Sequence, residues 1–171
     1  MDKETLLRLL NEDLALEYSA AVQYVQHSAT LQGVVFSEVR SHLMDHAREE
    51  LDHARKLAER IAYMGGIPTH VPSLDGIKTS EDSRYALALD LLGERAAISR
   101  YKERVQMAKD VGEHGLALLL SEILLQEEEH EDELLSVIGD SFSRGAIEKD
   151  QAVGFIVKLA SLEQARIRRP E

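Results

Sequence analysis

Two short stretches constrain this chain more than any others: Glu50-Leu51-Asp52-His53 and Glu127-Glu128-Glu129-His130. Each contains Glu-x-x-His, and the second follows the first at an offset of 77 residues (50 to 127). The same offset carries Glu17 onto Glu94 and Tyr24 onto Tyr101. Acids, imidazoles and tyrosines that all repeat at one spacing predict a duplicated helix pair.

Residues three apart lie on one face of an α-helix, so Glu50 and His53 can reach one point in space, as can Glu127 and His130. A carboxylate-rich site with one imidazole per metal suits iron or manganese. Glu, Glu-x-x-His, Glu, Glu-x-x-His from four helices is the ligand set of di-iron and di-manganese carboxylate bundles. One Glu-x-x-His in a glutamate-rich chain reads equally well as a solvated helix face. Two copies, each matched to a lone upstream Glu at one offset, weigh against that reading. Two Fe(II) bring four positive charges, which Glu17, Glu50, Glu94 and Glu127 balance while His53 and His130 stay neutral.

The 171 residues suffice for one domain with a filled core. Three prolines among abundant Leu, Ala, Glu and Arg favour helix over sheet. The absence of cysteine excludes disulfides, zinc–thiolate sites and iron–sulfur clusters on this chain. A net charge of −11 weighs against nucleic-acid binding. No apolar run is long enough to span a bilayer and no signal-peptide pattern opens the chain, so the cytoplasm is the expected location.

In chain order, Leu6, Leu7, Leu10, Leu14, Ala21 and Val25 set a helical period over about residues 4–32. Ser37 is placed to cap a second helix that runs to about Met64 and ends at Gly65-Gly66. Glu50 falls on its apolar stripe, where an unpaired carboxylate is costly. Residues 65–80 hold two of the three prolines and make a connection too long for a tight hairpin, which suits a crossover along a bundle. Ser80-Glu81-Asp82 opens a third helix reaching about Val111. A fourth spans about Glu113 to Ile138, closed by Gly139. A shorter fifth helix is predicted between about 146 and 165, before a basic end at Arg166-Ile167-Arg168-Arg169. Residues 1–140 thus form the bundle, and 141–171 a C-terminal helix and tail of the same domain.

Neighbours of the site residues need separate treatment. A one-residue step turns a side chain by about 100°, so Glu49, Glu128 and Glu129 read as solvated or as supporting the ligands. His27, His42, His46 and His114 lack partners at ligand spacing and read as surface or satisfied core, and His70 as an exposed loop residue. Two roles stay open for Tyr24 and Tyr101: core packing, or hydrogen bonding to ligands and electron donation.

As a set, these residues resemble the ferritin-like superfamily, and bacterioferritins most closely, over about residues 4–138. The resemblance implies an all-α, ferritin-like four-helix bundle with a long crossover between its second and third helices. It implies an intrasubunit di-iron ferroxidase and iron-storage function, with Fe(II) and O2 or H2O2 as reactants and a homo-oligomer built from dimers. Glu17, Glu50, His53, Glu94, Glu127 and His130 would bind two irons, or manganese, with Glu50 and Glu127 bridging. Where the family carries a haem-ligating methionine this chain has Leu51, so no haem of that kind is expected. Asp45 and Glu49 stand where the family has an inner-surface His and Asp, and the segment after Gly139 is longer than the family's. An assembly of 12 or 24 subunits, or a simple dimer, is compatible with the pattern. A rubrerythrin-like peroxidase or a manganese catalase is the rival on the same scaffold. The duplicated tyrosines suit the former, but Ala97 stands where it would have a further Glu.

Overall fold

The computed structural model describes residues 2–143. Among them every long element is an α-helix: α1 (Lys3–Thr30), α2 (Ser37–Tyr63), α3 (Ser83–Asp110) and α4 (His114–Ser143). At 1.5 Å per residue, helices of 27 to 30 residues are about 42 Å long. None of the described helices is long and apolar enough to cross a membrane. The predicted fifth helix and the basic tail lie outside the described residues.

Each helix end has a local cause. Asp2 accepts from the Thr5 amide at 2.8 Å and so caps α1. Asp82 does the same for α3, accepting from Arg84 and Tyr85. Of the Ser80-Glu81-Asp82 stretch expected to open α3, Asp82 is the cap. Gly65 and Gly112 end α2 and α3 with φ of 85° and 78°, a conformation that costs glycine little and other residues more. Two expectations fail. Ser37 is not a cap but already helical, because a 3-10 turn at Val34–Phe36 feeds α2 and Phe36 takes the cap position. Gly139 does not close α4, which continues to Ser143. A glycine in a helix costs about 1 kcal/mol relative to Ala, and Leu134 and Ile138 hold this turn in the core.

The α1–α2 and α3–α4 pairs pack as two hairpins, and α1 lies against α3 and α2 against α4. The crossover, residues 64–82, runs along α1 in α1's own direction. Thr69 N–H donates to Asn11, Ser73 N–H to the Ala15 carbonyl, and Lys78 N–H to Gln23. It thereby returns the chain to the far end of the bundle, so that α3 starts where α1 ends.

The core has two apolar clusters. Leu6, Leu10, Leu14, Leu57, Ile61, Leu116 and Leu120 fill one end. Leu43, Leu87, Leu91, Leu134 and Ile138 fill the other. The 77-residue offset reaches into this packing: Leu10 and Leu87, Leu14 and Leu91, Leu43 and Leu120, Leu57 and Leu134, and Ile61 and Ile138 are matched and all buried. Truncating one such leucine to alanine costs about 2–5 kcal/mol. Val25, counted on the apolar stripe from sequence, is instead 48% exposed, while Tyr24 points inward. Between the two clusters lies a polar layer.

Candidate metal centre

That layer gathers Glu17 from α1, Glu50 and His53 from α2, Glu94 from α3, and Glu127 and His130 from α4, none more than 3% exposed. Their donor atoms fall into two groups, each within 4.8 Å: Glu17, Glu50, His53 and Glu127, and Glu50, Glu94, Glu127 and His130. Glu50 and Glu127 belong to both groups. His53 Nδ1 sits 3.2 Å from Glu127, 3.3 Å from Glu17 and 3.4 Å from Glu50. His130 Nδ1 sits 3.2 Å from Glu50 and 3.8 Å from Glu94 and Glu127.

The inner atoms are unsatisfied. Glu17 Oε2, Glu50 Oε1, both Glu127 oxygens and the Nδ1 atoms of His53 and His130 are buried without a hydrogen-bond partner. Polar atoms in that state cost free energy unless something binds them. The outer atoms are all engaged. Tyr101 donates to Glu17 Oε1 at 2.6 Å, and Tyr24 donates to Glu94 Oε1. His53 Nε2 meets Gln126 Oε1 at 3.2 Å and His130 Nε2 meets Glu49 Oε2 at 2.5 Å. Those oxygens only accept, so each Nε2 carries hydrogen and each Nδ1 is left facing the cluster. The donor set fits two hard divalent cations.

Electrostatics agree. Burial would lower both imidazoles, but Glu127, Glu17 and Glu50 raise His53 far above its ordinary value. Glu50 and Glu94 likewise push His130 up to about 12. Burial, then the charges of Glu94 and Glu17, raise Glu50 to about 7. Burial and the other three acids raise Glu127. Glu94 goes the other way: burial opposes its charge, but His130, Glu127 and Tyr24 pull it to about 2. Four carboxylates and two imidazoles packed this closely hold protons that a cation would displace.

A cavity of about 780 Å3 opens between α1 and α3 beneath the crossover, with Glu17, Glu50, Glu94 and Glu127 among its lining residues. Beyond the cluster lie two buried acids that the sequence reading passed over. Asp13 accepts from Arg104 Nε at 2.8 Å, with Arg100 3.5 Å away. Asp90 pairs with His27 Nδ1 at 2.8 Å and accepts from Gln23 at 2.8 Å. The signal was present: Asp13 and Asp90, His27 and Arg104, and Gln23 and Arg100 are each 77 apart. Of the residues set aside, His27 and His46 are buried and partnered, while Glu49 supports a candidate ligand.

The helices and their inward carboxylate–imidazole layer define a four-helix bundle built around a polyanionic centre. Residues 7–141 match the Ferritin-like domain family, and the chain belongs to it. It is 31% identical over 129 residues to the bacterioferritin BfrA of Mycobacterium tuberculosis, covering 75% of this chain and 80% of that one. A ferritin-like, diiron-carboxylate protein from Bacillus anthracis superposes with a TM-score of 0.76 at 32% identity, covering 81% of this chain and 99% of that one. A dodecameric thioferritin, the bacterioferritin-related protein of Bacteroides fragilis, gives 0.76 at 27% identity, covering 86% and 94%.

Proposed function

We propose that the chain is a ferroxidase that oxidises Fe(II) at an intrasubunit dinuclear site and passes Fe(III) to storage in a homo-oligomer. The observation that carries this reading is the convergence of carboxylate and imidazole donors from four helices in one buried layer, those of α1, α2 and α4 with atoms left unpartnered. Glu17 and His53 would hold one metal and Glu94 and His130 the other, with Glu50 and Glu127, common to both donor groups, shared between them. When bound, two ferrous ions supply the two electrons that O2 or H2O2 takes up.

The remaining chemistry belongs to the chain. Tyr101 holds Glu17 by Oε1 and leaves its Oε2 turned to the cluster, and Tyr24 holds Glu94 in place through Oε1. Gln126 and Glu49 orient the imidazoles. The two apolar clusters close the layer at both ends, and the cavity between α1 and α3 leaves a way in from the side. Protons held by His53, His130 and Glu50 leave as metal enters. Leu51 offers no sulfur to a haem iron and is 54% exposed on α2, so purified protein should show no Soret band.

The test is Fe(II) oxidation by apo-protein loaded with two Fe(II) per chain, together with particle sizing. We expect a fast phase above the buffer rate and a shell comparable to the dodecameric relative. Binding of two metals with no rate above buffer would sink the reading. A rubrerythrin-like peroxidase is the second reading, favoured by the mirrored Tyr24–Glu94 and Tyr101–Glu17 bonds. Rapid H2O2 turnover with an external reductant and no mineral core would select it. Metal analysis of the isolated protein would separate iron from manganese.

A further inference from the structure

The 77-residue repeat superposes the two candidate metal positions ligand for ligand, which makes them a built-in control for each other. Glu17 answers to Glu94, Glu50 to Glu127, His53 to His130 and Tyr101 to Tyr24. What stands behind them does not match. His130 Nε2 bonds the carboxylate of Glu49 at 2.5 Å. The equivalent residue behind His53 is Gln126, a neutral amide at 3.2 Å, whose oxygen also accepts from Lys56 Nζ at 3.2 Å.

The next residues out widen the contrast. Lys56 answers to Glu133, which bonds His46 at 3.0 Å, and His46 stacks on His130 with ring centroids 4.2 Å apart. The counterpart of His46 is Ile123. On the other side of the layer, Asp90 faces an imidazole and an amide, while Asp13 faces two guanidiniums. The Glu49/Gln126 and Glu133/Lys56 pairs add anionic character on the Glu94–His130 side or cationic character on the Glu17–His53 side, where Lys56 is itself paired with Asp52 at 2.9 Å.

We propose that the two metal positions are unequal, that the Glu94–His130 position takes the first divalent cation, and that Glu49 is the positioning residue chiefly responsible. The inference rests on the six ligands assigned above. A carboxylate on the far nitrogen fixes the imidazole and strengthens its donation to a metal, whereas an amide shared with an ammonium does so less. Glu49 touches neither metal; it acts through His130. Charge at the outer positions works in the same direction but more weakly, because the half-exposed Glu133 is screened by solvent.

Co(II) is a suitable probe because it reports by absorbance and by anomalous scattering. Apo-protein given one equivalent should show anomalous density at Glu94–His130, and titration should resolve two steps. Glu49→Gln should weaken the first step by about 10-fold or more, the range for removing such a support, with recovery in Glu49→Asp. The double variant Glu49→Gln, Gln126→Glu should move the first ion to Glu17–His53. Lys56→Gln, a change at a partly exposed side chain, should tighten the second step without moving the first. Equal occupancy at one equivalent, first occupancy at His53, or an unchanged first step in Glu49→Gln would each overturn the inequality while leaving the dinuclear site intact. Failure to bind two Co(II) at any concentration would instead overturn the ligand assignment, and the inequality with it.

Discussion

The α1–α2 hairpin and the α3–α4 hairpin agree at the central layer and along the buried leucines, and diverge in the polar residues that stand behind the ligands. At the centre each supplies one glutamate, one Glu-x-x-His and one tyrosine, and each tyrosine bonds the glutamate of the other hairpin. One layer out, a carboxylate in one half corresponds to an amide in the other, a lysine to a glutamate, and a histidine to an arginine. A pair of like cations needs like ligands from both sides. The surroundings are under no such demand, and each half there meets a different environment.

The largest expected effect comes from breaking what the halves share. Glu50→Gln or Glu127→Gln should abolish two-metal binding and bring Fe(II) oxidation down to the buffer rate, read by metal titration and oxygen uptake. Breaking one half at a time should be milder. Glu17→Gln and Glu94→Gln should each lower the bound metal from two to one per chain, and the surviving position should be His130's in the first and His53's in the second.

A stability comparison follows from the buried acids. Asp13→Asn strands two guanidiniums, one of them nearly buried, and should cost about 3–5 kcal/mol. Asp90→Asn leaves an imidazole and an amide, and should cost about 1–3 kcal/mol. Urea denaturation checks both, and equal losses would remove the contrast between the halves. Smaller still is the pH effect. Glu50 keeps its proton up to about 7 and His130 up to about 12, each above its ordinary value. The metal-free site is therefore favourably protonated at low pH, and metal must expel those protons. Affinity should rise as pH is raised through 7, with proton release visible as a buffer-dependent heat of binding. Affinity independent of pH between 6 and 8 would contradict the assigned protonation.

The helices and the central layer were legible because both obey short-range rules. A carboxylate at Glu50 on an apolar stripe, with His53 one turn on, needs only helical geometry to be read. Val25, Ser37 and Gly139 misled for the converse reason. Period-counting cannot tell Tyr24 from its neighbour. A serine before a helix caps only when the preceding turn leaves it free, and a glycine breaks a helix only when packing does not hold it. Asp13 and Asp90 were passed over because an acid's burial depends on a partner about 90 or 60 residues away, such as Arg104 or His27.

By itself, the sequence determined four amphipathic helices, a long return path between the middle pair, and a repeated set of acids and imidazoles. Those follow from periodicity and spacing along one chain. Only the tertiary structure decided which nitrogen of each imidazole faces inward, that Glu50 and Glu127 belong to both donor groups, and that unlike charges stand behind like ligands. Such matters depend on which helices lie side by side, and that is fixed by the packing of two apolar clusters around the layer rather than by any local run of residues.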